Sequence, residues 1–260
     1  MKSVFGMVAG AAIATLAGQP ALSQENPPTD TTRYMAAVGL DYSTGKYGAS
    51  KDTTVISVPF GLTAQADRFR FEFTIPYLSV KGPGSAFAGG VVVPGGSGVT
   101  TRSGLGDVNL GAAWLIHQDD SSFPAIEIAG SVKAPTAEVG LGTGKWDYGA
   151  LVNISHSFSD QFMLFGSVGY QWLSDFKTIK LEDGVTGSIG ANFKPGSRTS
   201  VGITANYRQE YYAGLGEQFT LTPYVLYDMS ENWRISGYGL VGTTKSSPDL
   251  GAGFRLIFVR

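Results

Sequence analysis

The chain has 260 residues, 36 of them glycine and none cysteine, with 43% hydrophobic residues, 15% charged ones and a formal net charge of −2. A soluble domain carries about 25% charged residues and about 7% glycine, so charge is scarce here and glycine is close to double. An aromatic content of 12% excludes disorder, the absence of cysteine removes thiolate catalysis, disulfide frameworks and Cys-ligated zinc, and the lack of any Lys/Arg block leaves no footprint for nucleic acid.

The first segment reads as a targeting signal. Lys2 precedes an apolar, small-residue stretch from Val4 to Leu16, and Ala21-Leu22-Ser23 forms a small-x-small cleavage pattern. The stretch is shorter than the roughly 20 residues of a helical span. Residues 1–23 are therefore expected to be a secretory signal peptide and 24–32 (QENPPTDTT) a flexible lead-in, with one domain over 33–260. No later run is apolar and long enough for a membrane helix.

From Arg33 onward the dominant period is two, which is the period of strands. Segments 33–43 and 53–64 come first. The third, 69–79, is the clearest: in Phe69-Arg70-Phe71-Glu72-Phe73-Thr74-Ile75-Pro76-Tyr77, large apolar residues alternate with polar ones. Segment 105–117 follows, then 124–134, where Ile126, Ile128 and Val132 interleave with Glu127, Ser131 and Lys133. Next come 147–158, 162–173, 184–194 and 199–210, the last alternating Val201, Ile203 and Tyr207 with Gly202, Thr204, Asn206 and Arg208. Segments 218–228, 233–243 and 250–259 bring the total to twelve, an even number of pieces each close to the ~9–11 residues of a tilted membrane strand.

The joins alternate in length. Gln65–Arg68, Gln118–Phe123, Ser159–Gln161, Pro195–Arg198 and Met229–Asn232 are short and rich in turn formers. The intervening joins are longer, and the longest, Lys81 to Gly104, holds eight glycines and two prolines in 24 residues. Short turns at one end and long loops at the other are the pattern of an up-and-down outer-membrane barrel.

Water-soluble sandwiches alternate too, and three features favour lipid outside. The apolar face carries no charge in any segment, while the other face is mostly Gly, Ser, Thr and Asn. Aromatics gather in two bands, Trp114, Phe158, Phe162, Phe193, Tyr227, Trp233 and Phe258 by the short turns and Tyr42, Tyr77, Tyr148, Tyr170, Trp172, Tyr207 and Phe219 by the long loops, as interfacial girdles do. The last segment, Gly253-Phe254-Arg255-Leu256-Ile257-Phe258, resembles the terminal signal by which barrel-assembly machinery recognises outer-membrane proteins. The expected fold is thus all-β, a transmembrane antiparallel up-and-down β-barrel of about 12 strands.

Catalytic chemistry finds little support. His117 closes a strand beside Asp119 and Asp120, which read as turn formers, and His156 faces lipid near the turn end. Its neighbours Ser155 and Ser157 point to the opposite face, so no nucleophile–base pair forms. Gly140-Leu141-Gly142-Thr143-Gly144-Lys145 looks like a phosphate loop, but Trp146 stands where Ser or Thr is needed and a strand follows. No enzyme, cofactor or metal is expected.

Function, if it lies in the barrel, lies on the polar face. By period that face carries Asp41, Arg70, Glu72, Asp107, Asn109, Glu127, Lys133, Asn153, Gln171, Asn192, Lys194, Asn206, Arg208, Glu210, Arg234 and Arg255. Both signs are mixed, and buried charges need partners. A turn centred on Asp120 would set Asp107 opposite Lys133 and Asn109 opposite Ser131, predicting a cross-strand ion pair. These groups either staple the wall or contact solute.

Three blocks, Gly104-Leu105-Gly106-Asp107-Val108-Asn109-Leu110-Gly111, Val132-Lys133-Ala134-Pro135-Thr136 and Gly142-Thr143-Gly144-Lys145-Trp146-Asp147-Tyr148, resemble the family of outer-membrane transporters linked to the meta-cleavage pathway of phenol degradation. The resemblance implies a barrel that passes small, often aromatic or hydrophobic compounds, and carries over no catalytic residue. The expectation is a passive channel or facilitator for small organic solutes in the outer membrane of a Gram-negative bacterium, with lipid, solute and the barrel-assembly machinery as partners and the 81–104 loop as a lid or constriction. The alternative is a non-conducting barrel that acts structurally or through its loops.

Overall fold

The period of two places every second side chain of a strand on one face, so each segment has one apolar and one polar side and can hide the polar one only by closing on itself. In the computed structural model, which describes residues 32–83, 86–88, 91–93, 98–120, 122–177 and 179–260, that closure is complete. The expected signal peptide and all but the last residue of the lead-in lie outside the described residues.

The strands are β1 (Arg33–Gly45), β2 (Thr53–Ala66), β3 (Phe69–Gly82), β4 (Ala86–Ala88), β5 (Val91–Val93), β6 (Thr100–Leu105), β7 (Val108–His117), β8 (Ala125–Ala134), β9 (Asp147–Ser157), β10 (Phe162–Trp172), β11 (Gly184–Phe193), β12 (Thr199–Arg208), β13 (Gln218–Asp228), β14 (Trp233–Gly242) and β15 (Leu250–Val259). Among the described residues there is no helix. β4 and β5 make a small hairpin of their own, and all other strands form one antiparallel sheet. That sheet closes because β1 pairs with both β2 and β15 while β2 also pairs with β3. β6 and β7 share one edge of β3, so they are halves of a single wall strand and the barrel has twelve staves.

The expectation of an unbroken strand over 105–117 is corrected here. Tyr77 pairs with Leu105 and Thr74 with Asn109, so three steps along β3 face four on the other side. Pro76 sits in the gap and has no N–H to give to a ladder, and its carbonyl instead accepts the Gly106 N–H at 2.8 Å. The extra residue bulges out of the pairing, which frees Asp107 from the wall.

Burial alternates as the sequence requires. On β1, Met35, Asp41 and Ser43 are buried while Tyr34, Val38, Leu40 and Tyr42 are exposed. Large exposed apolar side chains outside and buried Asp and Arg inside invert the order of a soluble core and match a barrel in lipid. Both aromatic bands stand on this outer face, for example Trp114, Phe158 and Trp233 at the turn end and Tyr77, Tyr148 and Trp172 at the loop end. At the β7–β8 turn, Asp120 Oδ1 accepts the N–H groups of Ser122 (2.7 Å) and Phe123 (2.8 Å), which hold its carboxyl below the usual carboxylate range.

Candidate functional site

The polar face turns inward, and its charges meet in clusters that tie neighbouring staves together. Asp41 on the first stave is fully buried and accepts two hydrogen bonds from Arg255 on the last, Nη1 to Oδ1 at 2.6 Å and Nη2 to Oδ2 at 2.7 Å. Tyr238 Oη adds a third at 2.8 Å. Arg70 lies between two carboxylates, Glu72 at 2.9 Å and Glu127 at 2.9 Å, and Asn153 Nδ2 donates to Glu127 at 2.8 Å. Arg234, almost fully buried, sits 2.8 Å from Asp228, its register partner across the β13–β14 hairpin.

A further cluster gathers at the loop end. Lys133 Nζ is 2.9 Å from Asp107 and 3.1 Å from Asp147, and it also donates to Thr143 Oγ1 and the Lys145 carbonyl. Asp107 Oδ1 accepts the Ala137 N–H at 2.9 Å, and Thr136 Oγ1 accepts the Val108 N–H at 2.8 Å. A side-chain carbon on Gly142 would strike the Asp107 carboxylate, so the loop lies against that group. Each of the three sequence blocks singled out above contributes to this one cluster: Asp107 from the first, Lys133 and Thr136 from the second, Thr143 and Asp147 from the third.

The expected Asp107–Lys133 pair is therefore present, but by another route. Asn109, not Asp107, stands opposite Lys133, and Gly111 stands opposite Ser131. The turn sets His117 opposite Ile126, three residues beyond the Asp120-centred count, and the irregularity between Leu115 and His117 takes back one, so the register is displaced by two and the long lysine reaches Asp107 across the bulge.

The remaining sequence-predicted residues fall as follows. Asn109 Nδ2 donates to the Asp107 carbonyl at 3.1 Å. Asn192 accepts from Tyr224 Oη at 3.1 Å, and Asn206 donates to Thr220 and Thr222, each at 3.3 Å. Arg208 is buried at the loop end of β12, with its guanidinium 5.3 Å from the Tyr211 ring centroid. Glu210 lies beyond the end of β12, and there it accepts the Gly216 N–H at 3.1 Å and shapes the following loop.

Sequence reasoning missed what covers the mouth. Leu141, from the β8–β9 loop, packs with Tyr47 from the β1–β2 loop onto the inward-facing Val55, Leu78 and Val80. Phe176, Leu181 and Tyr211, from two other loops, form a second apolar cluster with Leu215 at its edge. Gly48 lies against Leu215, and its N–H donates to the Lys245 carbonyl at 2.9 Å. Burial pushes the Tyr47 hydroxyl up to about 12, against a 2.8 Å hydrogen bond with Ser43. The expected lid, 81–104, contributes β4 and β5, and most of its tip lies outside the described residues.

Sequence reasoning also missed a pair on the outside. His156 Nδ1 is 2.7 Å from Asp119, whose other oxygen accepts the Ser157 N–H at 2.8 Å. Among the described residues no group of metal-ligating side chains forms.

A closed twelve-stave barrel with an apolar exterior and a charged, internally paired interior defines a transmembrane β-barrel of the outer-membrane type. The chain belongs to the family described by the MetA-pathway of phenol degradation, whose model matches residues 60–260. The fold is similar to that of the COG4313 outer membrane channel from Pseudomonas putida F1, at a TM-score of 0.71 and 14% identity over 91% of this chain and 98% of that one. Weaker likeness extends to the CymD monoaromatic hydrocarbon channel, with a TM-score of 0.45 and 10% identity over 89% of this chain and 87% of that one. No curated protein matches the chain.

Proposed function

We propose that the protein is a passive outer-membrane channel for small organic solutes, exported after cleavage behind Ser23 and inserted by the barrel-assembly machinery. The observation that carries this reading is the interior itself: a closed wall whose buried charges are matched in clusters rather than left as a catalytic constellation. Membership of a family named for phenol degradation supports aromatic or hydrophobic solutes as cargo. No nucleotide motif couples it to an energy source, so flux runs downhill.

A second reading, a non-conducting barrel, is favoured by one observation: the apolar packing of Tyr47 and Leu141 at the mouth. Planar-bilayer recordings and liposome uptake of neutral aromatic and aliphatic solutes separate the two. Current and flux above empty liposomes are the expected result, and folded protein that gives neither overturns the channel reading. N-terminal sequencing of protein from the outer-membrane fraction should begin at Gln24.

A further inference from the structure

One row of inward-facing residues runs straight across six staves. Asn192 on β11 pairs with Gly202 on β12, Gly202 with Tyr224 on β13, Tyr224 with Tyr238 on β14, Tyr238 with Gly253 on β15, and Gly253 with Asp41 on β1. The two tyrosines stand side by side and lie down in opposite directions. Tyr224 covers Gly202 and reaches Asn192 on the stave beyond, where its hydroxyl donates at 3.1 Å. Tyr238 covers Gly253 and donates to Asp41, also one stave further on, at 2.8 Å. Adjacent staves are about 4.8 Å apart, so each ring with its partner bridges nearly 10 Å of wall.

The glycines make this possible. A side-chain carbon on Gly202 would strike the Tyr224 ring, and one on Gly253 would strike the Tyr238 ring and the Asp41 carboxylate. The same device recurs nearby, with Phe165 over its register partner Gly190 and Arg255 over its register partner Gly39. A large inward side chain on a curved wall otherwise projects toward the axis. Here each of four is laid flat along the wall on the glycine directly opposite.

We infer that Gly202 and Gly253, by seating Tyr224 and Tyr238, set the aperture of the pore and hence the largest solute that passes. The inference rests on the channel reading and adds to it the residues that fix its size limit. Gly202 and Gly253 act as positioning residues, since they touch no solute and work through the two rings. Gly253 is the sharper test, because the three atoms nearest its new methyl group belong to side chains, whereas at Gly202 the Ala191 carbonyl is among them, and strain on the wall would mix with the effect on the ring.

The experiment uses the mature chain in planar bilayers, with folding checked by heat-dependent mobility in detergent gels. Gly253→Ala should lower single-channel conductance by about half or more and reduce the size cut-off measured with neutral sugars and polyethylene glycols. Adding Tyr238→Ala to Gly253→Ala should restore conductance to the wild-type level or above, a rescue that mere wall damage would not show. In the native glycine background, Tyr224→Ala with Tyr238→Ala should raise both conductance and cut-off. If wild type conducts and these folded variants match it, the aperture assignment fails while the channel reading stands. If Gly253→Ala does not fold, the paired tyrosine variant decides alone, and an unchanged cut-off there overturns the assignment. A folded wild type without conductance ends both.

Discussion

Asp41→Ala tests whether the barrel seam depends on a buried charge. The pair joins the first stave to the last, 214 residues apart in sequence, with Asp41 fully buried and Arg255 3% exposed. Removing the carboxylate strands the guanidinium and leaves the Tyr238 hydroxyl without its acceptor. Breaking a buried ion pair from one side costs about 3–5 kcal/mol, the hydrogen bonds made to the lost carboxylate included. Water that enters the lumen can reach the stranded arginine, so the low end applies and about 3 kcal/mol is expected. With a urea slope of roughly 2 kcal/mol/M, the midpoint of unfolding from lipid vesicles, followed by tryptophan fluorescence, should fall by about 1.5 M. The companion double change, Asp41→Leu with Arg255→Met, removes both charges and should lie within about 1 kcal/mol of wild type, since a buried pair repays little more than its own desolvation. A single variant within about 1 kcal/mol of wild type, or a double variant as unstable as the single one, would refute the reasoning.

Phe73→Arg should block stable insertion, at a cost of about 2–4 kcal/mol for a charge at mid-bilayer, while Thr74→Arg, one residue along and inward-facing, should assemble; the heat-modifiable fraction measures both. Lys133→Met leaves Asp107 and Asp147 facing each other without their shared cation, and protease applied to intact cells should then cut within 135–146 several-fold faster than in wild type. In the unaltered protein the same protease should nick the 83–99 join before the turns at 159–161 or 195–198, because loop tips are cut first, and the reverse order would mean an inverted barrel.

The faces of the staves are legible in sequence because alternation needs no knowledge of neighbours. Phe73 outside and Glu72 inside follow from one segment alone, and so do both aromatic bands. What the segment cannot show is which residue lies opposite. Counting back from Asp120 places Asp107 beside Lys133, but the turn pairs His117 with Ile126 and the irregularity at 115–117 adds one residue of its own, so the true register lies two away. The break at Gly106 had a signal, a proline in the middle of the neighbouring strand, but its effect falls on the partner and not on Pro76 itself. The glycine seats are invisible for the same reason: Gly202 and Tyr224 are 22 residues apart, and only the register of β12 on β13 makes them neighbours. His156 with Asp119, 37 residues apart, is another pairing that no local pattern reveals.

The pairing of the inner charges bears on what the wall can select. Asp41 with Arg255 and Asp228 with Arg234 are each neutral as drawn. Arg70 between Glu72 and Glu127 leaves one negative charge, as does Lys133 between Asp107 and Asp147, and Arg208 lies near enough to Asp147 to offset part of the second. Pores that sort ions by charge present rings of one sign, and no such ring is built by these clusters. The charges are committed to holding staves together, with the hydrogen-bonding capacity of each group largely turned toward its partner. On the proposed channel reading, what remains to discriminate solutes is shape, and shape along this wall is governed by where a large side chain is allowed to lie flat. A barrel that needs arginine and tyrosine inside for its own cohesion keeps a lumen only if those side chains are folded onto the wall. That requirement gives a physical reason for glycine at Gly39, Gly190, Gly202 and Gly253, each directly opposite a bulky inward residue.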